Sequence, residues 1–102
     1  MSFNKCKITV LKRMINKDLA DEYLKDDDLK VCDAFSDGQE FIAEGPFKAP
    51  EGFCQWAWAD IRGNILAVAT GGGFPWMKQD GAMIACCTDG LRPVIFKLEG
   101  ME

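Results

Sequence analysis

Cys54, Cys86 and Cys87 are the residues whose type and placement best suit them to chemistry, and that chemistry is a thiol's. Cys54 follows Pro50-Glu51-Gly52-Phe53 and stands at the start of a helical pattern. There the helix dipole and free backbone N–H groups favour a thiolate, a nucleophile or soft-metal ligand. On this reading Cys54 alkylates faster than Cys32 and is the first candidate for a catalytic residue. Cys86 and Cys87 are adjacent on an expected strand, so their side chains point to opposite faces. If the inward one meets Cys54, with Cys6 added from a neighbouring strand, a thiolate cluster for a soft metal results. No Cys-x-x-Cys pair is present, so the signature of a structural zinc site or a thioredoxin-like centre is missing. The plainer alternative is that the thiols are small hydrophobes filling a core.

The chain contains no histidine, which removes the commonest general base, the Ser-His and Cys-His pairs and every histidine-containing metal site. Acid–base work would fall to a carboxylate, to Lys, to Tyr23 or to a thiol. Asp60 is the candidate base, with a surface residue or arginine partner as the alternative. Asp89 precedes Gly90 and reads first as a turn residue. Arg92, just after it, is a candidate ligand contact. Trp56 and Trp58 lie about 200° apart on a helix, so Trp58 shares the face of Cys54 and Ile61 while Trp56 faces away. With Phe53, Phe74 and Trp76, Trp56 could wall a small apolar pocket or a subunit interface. A core simply rich in aromatics is the alternative. Asp26-Asp27-Asp28 lacks the spacing of a calcium loop and reads as a solvated connection. Gly71-Gly72-Gly73 follows a helix rather than preceding one, so it does not form a phosphate cradle.

Six elements have to position these residues. Lys5 to Met14 alternates with β-branched content and reads as a first strand. Asn16 is placed to cap a short helix over Lys17 to Lys25, with Leu19, Tyr23 and Leu24 buried. Gln39 to Glu44 reads as a half-exposed strand, and Gly45-Pro46 and Ala49-Pro50 bracket a non-helical connection. Cys54, Ala57, Trp58, Ile61 and Ile65 recur at helical spacing, giving the main helix from about Gly52 to Thr70. Gly63 should weaken it by about 1 kcal/mol relative to alanine, so a break near Gly63-Asn64 is the alternative. Gly71-Gly72-Gly73 supplies its C-terminal cap. Ala82 to Cys87 and Val94 to Glu99 read as a hairpin whose loop, reaching to Pro93, exceeds two residues. The fold class is α+β: a small, mainly antiparallel sheet with one long helix on one face and a short helix after the first strand.

The 102 residues make a single domain, 1–102, and 48% hydrophobic with 27% charged residues is the composition of a soluble globular protein. Twelve basic against sixteen acidic residues give a net charge of −4, with little clustering of Lys and Arg. A nucleic-acid partner is therefore not expected. No apolar run is long enough to span a bilayer, and Met1-Ser2-Phe3-Asn4-Lys5 does not lead into a signal peptide. No membrane partner and a cytoplasmic location are expected, with the five cysteines as thiols rather than a disulfide frame.

Three segments carry a family likeness: Lys5-Cys6-Lys7-Ile8-Thr9-Val10-Leu11-Lys12-Arg13; Pro50-Glu51-Gly52-Phe53-Cys54-Gln55-Trp56-Ala57-Trp58-Ala59-Asp60-Ile61; and Phe74-Pro75-Trp76-Met77 with Cys86-Cys87-Thr88-Asp89-Gly90-Leu91-Arg92-Pro93-Val94-Ile95-Phe96-Lys97. Together they resemble a family of cysteine-rich proteins of about a hundred residues found largely in anaerobic bacteria and archaea. The likeness covers nearly the whole chain, with Cys32 in a segment that matches less well. It implies kinship and supplies no mechanism.

The leading expectation is a small-ligand or metal-binding domain, acting as a homo-oligomer with a dimer as the default. Its site would be formed by Cys54, Cys86 or Cys87 and the tryptophans Trp56, Trp58 and Trp76, with a thiolate-bound soft metal as the cofactor such residues would take. The alternatives are a small enzyme using Cys54 as nucleophile or Asp60 as base, and a structural partner subunit.

Overall fold

A computed structural model describes residues 3–26 and 28–101; Met1, Ser2 and Asp27, named above, lie outside the described residues. The elements run β1 (Lys5–Arg13), α1 (Lys17–Tyr23), β2 (Glu40–Ala43), α2 (Gln55–Ala69), β3 (Ala82–Cys86) and β4 (Val94–Met101). The four strands form one sheet in the order β2-β1-β4-β3, every neighbouring pair antiparallel. This is the expected α+β arrangement, with α2 packed on one face against β3, β4 and β1. No helix among the described residues is long and apolar enough to cross a membrane.

Strand alternation sorts the sheet into two faces. Cys6, Ile8 and Val10 on β1 and Val94, Phe96 and Leu98 on β4 are buried and face α2. Ala57, Trp58, Ile61, Ile65 and Val68 of α2 close over them. Phe35 and Phe53, from the connections, fill the space between, each ring meeting Phe41 and Phe96 edge-on or tilted. The other face carries paired charges beside the half-exposed Ile42 and Ile84. There Lys7 lies 3.3 Å from Glu40 and Lys97 lies 3.6 Å from Glu99. A hydrogen bond from Gln79, ahead of the charges of Lys97 and Lys7, holds the Glu99 carboxyl below its ordinary range.

Helix α2 begins at Gln55, three residues later than expected, because Gly52 adopts a positive φ of 78° and Phe53 N–H closes a turn on Pro50 C=O. It then runs unbroken through Gly63. At its end Gly71 has φ 83°, Gly71 N–H reaches Val68 C=O and Gly72 N–H reaches Ala67 C=O. That is the Schellman arrangement, and it satisfies two carbonyls the helix leaves open.

Helix α1 departs further from expectation. It stops at Tyr23, and its buried residue is Ala20, whereas Leu19 and Tyr23 are 40% and 73% exposed. Two turns offer one narrow contact, and Leu24 has already become extended (φ −87°, ψ 146°). Asn16 makes no side-chain cap; its amide donates instead to Gly90 C=O, and its backbone N–H to Leu91 C=O.

A β-bulge at Leu11 decides what the upper end of the sheet presents. Val10 pairs with Phe96 but Lys12 with Ile95, so Leu11 is an extra residue. A one-residue insertion reverses the facing of everything beyond it. Arg13 therefore pairs with Val94 and shares its inward face. From there its guanidinium donates to Cys32 C=O (3.1 Å) and Phe35 C=O (3.0 Å) and pairs with Asp37 at 3.0 Å. The long connection between α1 and β2 is pinned over that end of the sheet.

Candidate thiol pocket

Three segments distant in sequence meet at a cavity of about 180 Å³ that lies beside the N-terminus of α2, and each contributes one cysteine: Cys32, Cys54 and Cys87. Cys32 comes from the connection held by Arg13. Cys54 is the N-cap residue of α2, with extended backbone (φ −60°, ψ 124°) and its carbonyl accepting from Trp58 N–H at 2.9 Å. Its side chain makes no cap bond, which leaves the thiol to the cavity. Cys87 is the first residue beyond β3. Its N–H bonds Val94 C=O at 3.2 Å, and its sulfur accepts Val94 N–H at 3.3 Å. All three are partly buried.

Trp56 and Arg92 also line the cavity, together with the carboxylates Asp33 and Asp89. Trp56 is 63% exposed, as its helical angle relative to Trp58 required, yet its orientation is fixed. Its indole N–H donates to Thr88 Oγ1 at 2.8 Å, and the Thr88 hydroxyl donates to Asp60 Oδ2 at 2.9 Å. Thr88 N–H reaches the same Asp60 oxygen at 2.7 Å. Asp60, expected as a candidate base, therefore anchors the hairpin loop to α2 and holds the indole at the cavity. Asp89 behaves as the turn residue expected: its Oδ1 accepts Leu91 N–H and Arg92 N–H, and its Oδ2 lies 3.5 Å from Arg92 Nε. Arg92 also borders a wider hollow of about 640 Å³ beside Asp26 and Asp28.

Several expected members lie elsewhere. Trp58 is buried against Phe53 in the core, 6.1 Å between rings. Trp76 packs on Phe74 at 5.6 Å beyond the far end of α2, whose 15 residues span about 22 Å. A single aromatic pocket of Trp56, Phe53, Phe74 and Trp76 is not formed. Cys86 points to the opposite side of β3 from Cys87 and is exposed, its thiol donating to Cys87 C=O at 3.0 Å. Partial burial, then the charges of Cys87 and Asp60, push that thiol up.

Cys6 cannot join the cluster. It pairs with Gly100, six residues along β4 from Val94, or about 20 Å at the rise of a strand. It is fully buried, and that burial, opposed in part by a hydrogen bond from the Glu99 backbone, pushes its thiol up to about 11. Among the described residues no group of three or more Cys, Asp or Glu is gathered tightly enough to hold a metal ion, so the three-thiolate cluster is not assembled.

Sequence reasoning gave Cys32 too little weight and passed over Thr88 and Arg13. Thr88 carried a signal, a hydroxyl directly before an Asp-Gly turn. Arg13 carried none, because its facing depends on the bulge. No protein-family model, no curated protein and no solved structure matches this chain.

Proposed function

We propose that this protein is a small-ligand-binding domain whose site is the cavity among Cys32, Cys54 and Cys87, with Trp56 as its aromatic wall and Arg92, Asp33 and Asp89 as its charged contacts. The observation that carries this reading is the convergence of three thiols, an indole and a guanidinium from three separate segments on one cavity. A volume of about 180 Å³ is below the range of drug-sized sites, so the ligand is a compact molecule. Phe35, Ala57 and Val94 supply apolar lining, and the charged lining residues are Asp33 and Asp89 beside Arg92, whose Nε already lies 3.5 Å from the Asp89 carboxylate, so the wall favours a compact cation such as a small amine over an anion. A reducing compartment, the cytoplasm, keeps the thiols in the form this site uses.

The test is thermal stabilisation of the reduced protein by a panel of short amines with the matching alcohols and carboxylates. Amines that fit should raise Tm more than the carboxylates do, and Asp33→Asn should remove the shift while leaving the unliganded Tm within a few degrees. A panel in which the three classes behave alike, or in which Asp33→Asn responds as the parent does, contradicts the reading.

A further inference from the structure

We infer that the free edge of β3 is a contact between two copies of this chain, paired antiparallel about Ala85, and this goes beyond the pocket reading without depending on it. Gly100 N–H reaches Gly81 C=O and Cys87 N–H reaches Val94 C=O, and between those bonds β3 pairs with β4 without a shift. Antiparallel pairs that exchange both hydrogen bonds recur at every second residue, so Met83 and Ala85 turn their backbone groups to β4 while Ala82, Ile84 and Cys86 turn theirs outward. Ala82 is fully buried, whereas Ile84 and Cys86 are exposed. Among the described residues nothing bonds the backbone N–H or C=O of Ile84 or Cys86. The next outward donor, Thr88 N–H, is already held by Asp60 at 2.7 Å. The open edge is therefore the backbone of Ile84 and Cys86.

An uncovered edge is a template for another strand, and proteins ordinarily block it with charge, proline or a bulge. This sheet blocks one edge and leaves the other. At the β2 edge the strand starts at Glu40 and is followed by Glu44, both carboxylates largely exposed. Strand β3 reads Ala82-Met83-Ile84-Ala85-Cys86, with no charge, no proline and no bulge.

A strand laid on β3 has to satisfy the donors and acceptors of Ile84 and Cys86, and a second β3 does so. Turned antiparallel about Ala85, it sets Ile84 of each copy opposite Cys86 of the other, and each of these pairs exchanges both bonds. At the two-fold axis the nearest side chains are then the methyl groups of Ala85, small enough for the close approach of a non-hydrogen-bonded pair. Pairing β3 on the β2 edge of the next copy would meet Glu40 and Glu44 and continue without closure, so the two-fold arrangement is the one that ends. The entry to β3 lies against the last turn of α2, since a Cβ at Gly100 would meet both Val68 and Gly81 within 4 Å. The connection that carries Trp76 runs into β3 at that end, which puts the indole at the margin of the same contact.

The experiment is amide hydrogen exchange followed by NMR on the full-length, reduced protein across a concentration series, with sedimentation equilibrium at the same concentrations. The amides of Met83 and Ala85, bonded within the sheet, should exchange slowly throughout. Those of Ile84 and Cys86 should exchange fast in dilute protein and slow by about tenfold or more as the dimer forms. Ile84→Pro removes the outward N–H and no bond to β4, and it should weaken dimerisation about tenfold or more, because both copies lose a donor. Ile84→Lys keeps the backbone intact and places a charge on the edge, and it should weaken the dimer as well. A dimer in which the Ile84 and Cys86 amides stay fast associates elsewhere and overturns the inference. So does a parent protein that remains monomeric at high micromolar concentration, or a folded Ile84→Lys that dimerises as the parent does.

Discussion

The Thr88 hydroxyl accepts from Trp56 and donates to Asp60, and the Thr88 backbone N–H donates to Asp60 as well, so one residue fixes both the indole at the pocket and the hairpin loop against α2. Replacing it by valine keeps the shape and removes the hydroxyl, leaving the indole N–H to solvent. Thr88→Val should cost about 1 to 2 kcal/mol of stability, the net worth of the two exposed hydrogen bonds its hydroxyl makes, and should broaden the Trp56 indole N–H resonance. An unchanged resonance would show that packing alone holds the ring. Cys6 makes a different prediction, in pH. Its folded pKa of about 11 lies above the ordinary 9.0, so the folded state keeps a proton that the unfolded chain gives up first. Stability from this residue is complete below about pH 9 and is lost as pH rises towards 11, a loss on the order of 2 to 3 kcal/mol across that interval. Denaturant titrations at pH 8 and pH 10.5 should show that loss in the parent and a smaller one in Cys6→Ala, which has no thiol to ionise.

Two glycines of the α2 region separate what a helix tolerates from what its end requires. Gly63 lies inside the helix, and a Cβ built there meets no atom within 4 Å. Gly63→Ala should therefore raise stability by about 1 kcal/mol, the ordinary propensity gain. At Gly72 the added Cβ would stand 2.8 Å from Ala67 O, backbone that cannot step aside without breaking the Schellman bond. Gly72→Ala should lower stability, and opposite shifts of Tm in the two variants are the expected result. The course of α2 was legible for this reason: its apolar spacing and terminal glycines are local signals. Its first turn was not, since the positive φ of Gly52 depends on a turn closed by Pro50. The pocket was legible only in part. Cys54 and Trp56 follow from helix periodicity, strand alternation leaves open which of Cys86 and Cys87 faces inward, and Arg92 was marked only by its place after the Asp89-Gly90 turn, whereas Cys32 reaches the cavity through Arg13, and Arg13 reaches its carbonyls through a bulge. A one-residue register change leaves no mark on composition or spacing, yet it determines which loop covers the sheet.

At the scale of the molecule, the two faces of the sheet give a direction to self-association. The face away from α2 carries Lys7, Glu40, Lys97 and Glu99 in mutual ion pairs, and burying it against a second copy would remove those charges from water at a cost their pairing only partly offsets. Trp56, one half of the aromatic surface expected to mediate association, is held by Thr88 at the pocket. The other half of that expected surface is at the opposite end of α2, where Trp76 is 68% exposed and tilted against Phe74. A dimer formed there would bury the indole and leave the thiol pocket of each protomer open. The expected outcome is that sedimentation equilibrium of the reduced protein at high micromolar concentration gives twice the 11.3 kDa chain mass. Trp76→Ala should then shift the population towards monomer, while Trp56→Ala should leave it in place and impair only ligand binding. A parent protein that sediments as a monomer rejects association through this end of the helix.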